Sequence, residues 1–396
     1  MSKKIILSLI FVIILSLIYL FPRLYQFEQN INFRYDQGLH LLETYDMVKS
    51  GQIRFVGPAV TSKTFEGRQF FIGPNYYYFL AILGVIFSWS VSKIILSLIF
   101  IELFFYLLFY FFIKKNFGFL PALITFVSIS CSPYLIYHSS FFWNPHFLIP
   151  LSILLLIFSK NIFISSFLFG LAFSFHYSAI FLIIPIILIF KINQKINLKN
   201  ILIAISMFLL ANLPFYLFEI KNSFYNFKTM LLIFLNSKDS GSLTSHYFIF
   251  PLIIFVIFIF LYLSQKYKKP FYLIPFLFLI FFKNINSLNN FWAYPDQIKT
   301  TQIILQKQCL DNYNIAATIQ GDTRFYDLRY LLTINNCPPD KVENYPHNKY
   351  LYLISNKNNP HQETVWEVDS FKPFQIQDKI KINQNINLFL IQRIDK

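Results

Sequence analysis

Long apolar runs, broken by short lysine-rich stretches, organise the chain as far as residue 283. Runs at 5–22, 94–113, 117–137, 146–159, 162–175, 177–190, 200–218, 246–264 and 271–283 each read as a helix crossing a bilayer, for which a straight helix needs about 20 residues. The lysines between them (Lys3-Lys4, Lys114-Lys115, Lys160, Lys191/Lys195/Lys199 and Lys266/Lys268/Lys269) fall where cytoplasmic loops carry positive charge. The segments 23–93, 138–145, a turn near His176, 219–245 and the tail then lie on the opposite side. Runs 162–175 and 177–190 are each short of a full span. Read as one span, they would put Lys160 and the Lys191–Lys199 cluster on opposite sides, so a hairpin of short or broken helices is expected. The run 76–89, YYYFLAILGVIFSW, is also short, and reads as a helix dipping into the outer leaflet with its tyrosines at headgroup depth.

From 284 onward the pattern changes. Asn, Lys, Asp and Gln dominate, a helical stretch covers Asp296–Leu310, and strand-like runs sit at Ile315–Ile319, Tyr350–Ile354 and Asn387–Ile391. The pattern predicts an α-helical polytopic membrane protein of about nine spans over 1–283, with a first external loop at 23–93. A small extracytoplasmic α/β domain over 284–396 follows it.

Composition supports the membrane reading. Hydrophobic residues make up 56% and charged residues 13%, against about one quarter charged in soluble chains. One core cannot hide that much apolar surface, so a lipid bilayer is the expected partner. The first run follows Lys3-Lys4 and lacks a small-residue cleavage site, so it reads as a retained span. The net charge of +15 is spread over loops and not gathered into an aromatic-interleaved patch, which argues against nucleic acid. Cys131 ends an apolar run, whereas Cys309 and Cys337 share the polar tail and can pair if it is extracytoplasmic.

Candidate chemistry concentrates in the first external loop, FRYDQGLHLLETYDMVKSGQIRF followed by TSKTFEGRQFFIGPNYYYFLA. Asp36 precedes a helix-like run, Gly38 to Lys49, close to the depth of lipid headgroups. A sugar leaving a lipid phosphate needs no proton donor at its leaving group. It needs a general base on the acceptor and cations near the phosphate. Asp36 suits the first role; Arg34, Lys63 and Arg68 suit the second. The alternative is that Asp36 only starts the loop helix as a cap. Asp36, His40 and Glu43 share one helix face, where a divalent metal is conceivable but unsupported; polar residues on a wet face are the commoner outcome. His138, His146 and His176 fall near external span ends, Glu102 lies midway along 94–113, and Glu219 and Lys221 follow the run 200–218.

The order of span, Asp36-Gln37-Gly38, helix, Ser50-Gly51 and Gly73-Pro74-Asn75-Tyr76-Tyr77 resembles the protein O-mannosyltransferases and aminoarabinose transferases of the GT-C glycosyltransferase superfamily. The likeness covers residues 1–90. It continues more loosely through Ser132-Pro133, Trp143-Asn144-Pro145 and Phe175-His176-Tyr177. The resemblance implies sugar transfer from a polyprenyl-phosphate donor to an unknown glycan, lipid or protein acceptor. The reaction would take place at the outer face of a bacterial cytoplasmic membrane, with the N-terminus inside. By this likeness Asp36 is the catalytic base. Arg34, Gln37, Lys63, Arg68, Tyr76, Tyr77, His176, Glu219 and Lys221 are candidate substrate contacts, and no metal ligand or cofactor is assigned. The chain departs from the pattern at Gln37 (Glu in the family), at Gly73 (often Lys) and at Asn144-Pro145 (Asp-Pro in some members). A transporter or lipid flippase, and a surface-polysaccharide polymerase or ligase, are the competing readings.

This topology puts the tail outside. After mild reduction, a membrane-impermeant thiol reagent should label Cys309 and Cys337 in intact cells; labelling only after the membrane is opened would place the tail inside.

Overall fold

The computed structural model describes residues 3–60, 67–185, 187, 197–236, 246–282, 292–307, 309–319 and 321–394. The chain forms two compact units. One comprises Met1–Tyr25, Met47–Ile86 and Lys93–Ile285; the other comprises Gln26–Asp46, Phe87–Ser92 and Asn286–Lys396. One division between the units falls between Ile285 and Asn286, and segments 26–46 and 87–92, assigned above to the first external loop, cluster with residues 286–396.

The first unit is helical, yet it does not consist of nine straight crossings. Among the described residues, three helices are long and apolar enough to cross a membrane: Ile5–Leu24, Val91–Phe117 and Phe248–Tyr267. Leu198–Ala211 and Leu213–Lys221 together make a fourth if the 81° bend between them falls within one span. The other runs are interrupted, for local reasons. Pro133 disfavours helix at Ser132, so the run 117–137 divides into Phe119–Cys131 and Pro133–His138. The run 146–159 opens with a 3-10 turn, Asn144–Phe147, before Leu148–Ile157. The run 177–190 begins as a 3-10 helix, Tyr177–Leu182, and residues 186 and 188–190, with Lys191 and Lys195, lie outside the described residues. Leu273–Phe281 and Asn75–Ile86 are only 9 and 12 residues long.

Close helix packing inside this unit depends on a glycine. A Cβ at Gly170 would stand 2.6 Å from the Phe208 carbonyl oxygen, and the adjacent Asn212 side chain donates to the Gly170 carbonyl at 2.6 Å. Small residues at such crossings let helix backbones approach. On Lys3–Leu24 the side chains Ile5, Leu7, Ile10, Ile13, Ile14 and Leu17 are all exposed.

The second unit is built on a four-stranded sheet: β1 Tyr313–Ala317, β2 Tyr350–Ser355, β3 Phe374–Lys381 and β4 Asn387–Arg393, in spatial order β1-β2-β4-β3. β1 and β2 are parallel, with Ile315 opposite Tyr352; the remaining pairs are antiparallel, with Tyr352 opposite Leu390. Leu351, Leu353, Phe389 and Ile391 bury one face against Tyr345, Val368 and Phe371. Helix Tyr294–Gln306 matches the expected helical stretch, and β1, β2 and β4 fall on or within two residues of the expected runs. β3 was not anticipated. Its sequence FQIQDKIK alternates charge with apolar residues, as an exposed edge strand does.

Cys309 and Cys337 form a disulfide, closing a loop of sequence separation 28 around β1. Restricting an unfolded loop of that size contributes about 3.5 kcal/mol. Cys337→Ser should therefore lower the unfolding free energy by about that amount, read by denaturant titration of the purified chain. An unchanged midpoint would mean that the bond does not form in solution.

Candidate functional site

Asp36 lies in the first turn of helix Tyr35–Ser50. The side chain of Gln37 reaches back to accept from the Arg34 amide at 3.3 Å, and the Gly38 amide donates to the Arg34 carbonyl at 2.8 Å. Arg34 is thus the N-cap, and Gln37 does what the glutamine of a capping box does. Gln37, a candidate substrate contact, is buried in this structural role. The capping alternative for Asp36 finds no support, since among the described residues its carboxylate accepts no helix-start amide. Gly38 explains the next layer. A Cβ there would stand 2.4 Å from the Asp327 amide nitrogen and 2.5 Å from the Tyr326 carbonyl, so the helix start lies directly against the start of helix Tyr326–Ile334.

That contact places Asp36 beside the loop that follows β1. Burial, and then the charge of Asp322, push the Asp36 carboxyl above the usual carboxylate range. Asp322 is itself held by Arg324. The Arg324 Nε lies 3.1 Å from both carboxylate oxygens, Nη2 lies 2.5 Å from Oδ2, and Nη2 also donates to the Tyr35 hydroxyl at 2.7 Å. The same guanidinium lies over the rings of Tyr35 and Tyr326, at 5.2 and 5.6 Å. A third carboxyl, Asp327, is fully buried; it accepts from the Trp292 indole at 3.2 Å and from the Leu328 amide at 2.9 Å. Burial pushes it up to about 7, against weaker lowering by those donors and by Arg34. The loop therefore gathers carboxyl groups of unequal proton affinity with a fixed guanidinium and two tyrosine rings. A desolvated carboxylate with raised proton affinity is what a general base needs.

Asp322, Arg324 and Asp327 were not anticipated from the sequence, because they follow Asp36 by nearly 300 residues. One signal was available: the polar run Gly321-Asp322-Thr323-Arg324 comes just after a buried strand, at the carboxyl end of a parallel pair, where ligand sites recur.

The remaining candidates belong to the first unit. Tyr76 and Tyr77 have no exposed surface; Tyr76 packs tilted against Phe147 and edge-on against Phe175, and Tyr77 lies under Arg54. Glu219 is buried and caps helix Tyr225–Asn236, accepting from the amides of Asn226 at 3.1 Å and Phe227 at 2.9 Å. Asn226 in turn bonds Phe71 and the Tyr177 hydroxyl, which ties the segment around Phe71 to this helix start. His176 caps Tyr177–Leu182 through Nδ1, accepting from the Ser178 amide at 3.1 Å. Arg68 and Lys221 are exposed, and Lys63 lies outside the described residues. Asn144, buried, donates to the Phe175 carbonyl at 3.0 Å, and the His138 and His146 rings meet at 3.0 Å between Nδ1 and Nε2. Glu102 accepts from the Tyr19 hydroxyl at 2.8 Å.

For a metal at Asp36, His40 and Glu43 the geometry gives no support. Burial holds His40 neutral, its proton affinity pushed down to about 3, and among the described residues no three His, Cys, Asp or Glu side chains are grouped to hold an ion. Comparison of the chain with known protein families, characterised proteins and solved structures gives no match.

Asp327 makes a pH prediction. Its carboxyl ionises near 4 when unfolded and about 7 when folded, so the folded state holds the extra proton between those values and loses stability as pH rises through them. His40 acts in the opposite sense below its unfolded value, so the informative quantity is the difference between wild type and Asp327→Asn. The variant's advantage should grow by up to about 4 kcal/mol between pH 4 and pH 8. A constant difference would mean that Asp327 ionises as freely folded as unfolded.

Proposed function

We propose that this chain is a polytopic membrane glycosyltransferase that moves a sugar from a polyprenyl-phosphate donor to an acceptor at the outer face of a bacterial cytoplasmic membrane. The observation that carries the reading is the state of Asp36, a half-buried carboxylate whose proton affinity is raised by desolvation and by Asp322. It takes the proton from an acceptor hydroxyl as that oxygen bonds the anomeric carbon. The carbon–oxygen bond to the lipid phosphate breaks, and the phosphate leaves with its electron pair, needing no acid. Arg34, beside Asp36 in sequence, is the nearest candidate to meet that charge. The membrane assignment is supported by the exposed apolar face of Lys3–Leu24 and by the three helices of spanning length. The arrangement of motifs around Asp36 resembles the GT-C families, and no metal is required.

Asp36→Asn keeps the shape of the side chain and abolishes its basicity. In an in-vitro assay with a panel of polyprenyl-phosphate sugars, turnover should fall 10²–10⁴-fold, with the unfolding midpoint unchanged or raised. Transfer by purified Asp36→Asn at near the wild-type rate would end the proposal.

A further inference from the structure

Arg23, near the end of Lys3–Leu24, is 5% exposed. Its Nη1 donates to the carbonyl of Tyr19, one turn back, at 3.1 Å, and to that of Ser130 at 2.7 Å. The guanidinium lies 3.8 Å from the centre of the Tyr19 ring. Its remaining edge, Nε and Nη2, has no acceptor among the described residues. On the segment whose Ser130 carbonyl Arg23 meets, two more buried groups have no partner among the described residues: the hydroxyls of Ser130 and Ser132, both fully buried, flank Cys131 at the break before Pro133.

Another buried arginine shows how unusual this is. Arg329 directs its donors to the carbonyls of Arg324 at 2.7 Å, Asp340 at 2.7 Å and Ile315 at 3.2 Å, and to the Tyr345 hydroxyl at 2.8 Å. A buried donor without an acceptor is costly, more so when charged. Arg23 does not direct its free edge to Glu102, the nearby carboxylate that senses its charge; Glu102 is bonded to the Tyr19 hydroxyl instead.

Nε–H and Nη2–H project in parallel, the fork that binds an oxyanion through two oxygens. A carboxylate that takes the fork keeps one further acceptor site on each of its two oxygens, both in its own plane, whereas the serine hydroxyls come from a different element. A phosphate group has oxygens for the fork and for the hydroxyls together. We infer that Arg23, Ser130 and Ser132 form a binding site for a phosphate group. The site lies where a long apolar helix ends, the depth at which lipid phosphates occur if that helix spans a bilayer. It does not depend on Asp36 or on sugar transfer. Glu102 competes for the same cation, so the bound phosphate gains when that carboxylate is neutral.

The full-length chain offers two arms. Dioleoyl phosphatidic acid is titrated into phosphatidylcholine nanodiscs holding the protein, and inorganic phosphate is titrated into the detergent-solubilised protein; occupancy is read by native mass spectrometry and by thermal stabilisation. Saturable binding in the first arm alone identifies a lipid headgroup, and binding in the second identifies free phosphate. In either case Arg23→Lys, which keeps the charge and loses the fork, should weaken binding about tenfold or more, and Ser132→Ala should weaken it several-fold. Glu102→Gln, which can still accept from Tyr19, should tighten it. If Arg23→Lys does not fold, Ser130→Ala and Ser132→Ala decide. No saturable phosphate binding in either arm, or equal affinity in wild type and the serine variants, would overturn the site and leave Arg23 as a helix-packing residue.

Discussion

A side chain at position 38 would put its first carbon 2.4 Å from the backbone nitrogen of Asp327, a distance no packed protein tolerates. The glycine therefore decides whether the helix that carries Asp36 can lie against the helix start that carries Asp327. With the two in contact, the loop after β1 brings Asp322 up to Asp36 and Arg324 up to Tyr35. Separated, Asp36 would be an ordinary solvated carboxylate on a loop. The unusual proton affinity at this site thus comes from a packing constraint before it comes from any charge. Desolvation by the close approach is the larger cause, and the second carboxylate adds to it.

Much of this architecture was legible in the pattern of apolar residues, and what was not legible is instructive. The runs were found, but a run does not say whether its helix is continuous. Ser132-Pro133 and Asn212 each break one, and the broken pieces reduce the helices of spanning length to three or four among the described residues. In the sheet, the apolar strands β1, β2 and β4 stood out, whereas the edge strand β3 carries charges that suit its exposed side and conceal it in the sequence. Around Asp36, the helix and its approximate start were readable from spacing. Its partners were not, because Asp322, Arg324 and Asp327 reach it only through tertiary packing.

Several polar residues that looked available for substrate are occupied by the backbone. Glu219, Gln37 and His176 each satisfy amides at the start of a helix. Short helices in an apolar body create many such ends, each with amides that need acceptors. A chain whose apolar runs break often must therefore spend polar side chains on its own termini. This is why Arg23, with half of its guanidinium unspent, stands out from the rest.

The Cys309–Cys337 bond has a topological consequence for the chemistry-bearing loop. β1, the Asp322–Arg324 turn and helix Tyr326–Ile334 all lie between the two cysteines in sequence, and so inside one covalent ring. A protease that cut this half-buried turn, for instance after Arg324, would not release either side. The nicked protein would keep both ends of the cut attached through the sulfur bridge and would migrate as a single species until reduced. The segment that holds Asp322 beside Asp36 is thus tethered twice, once by the peptide chain and once by a bond that survives its cleavage.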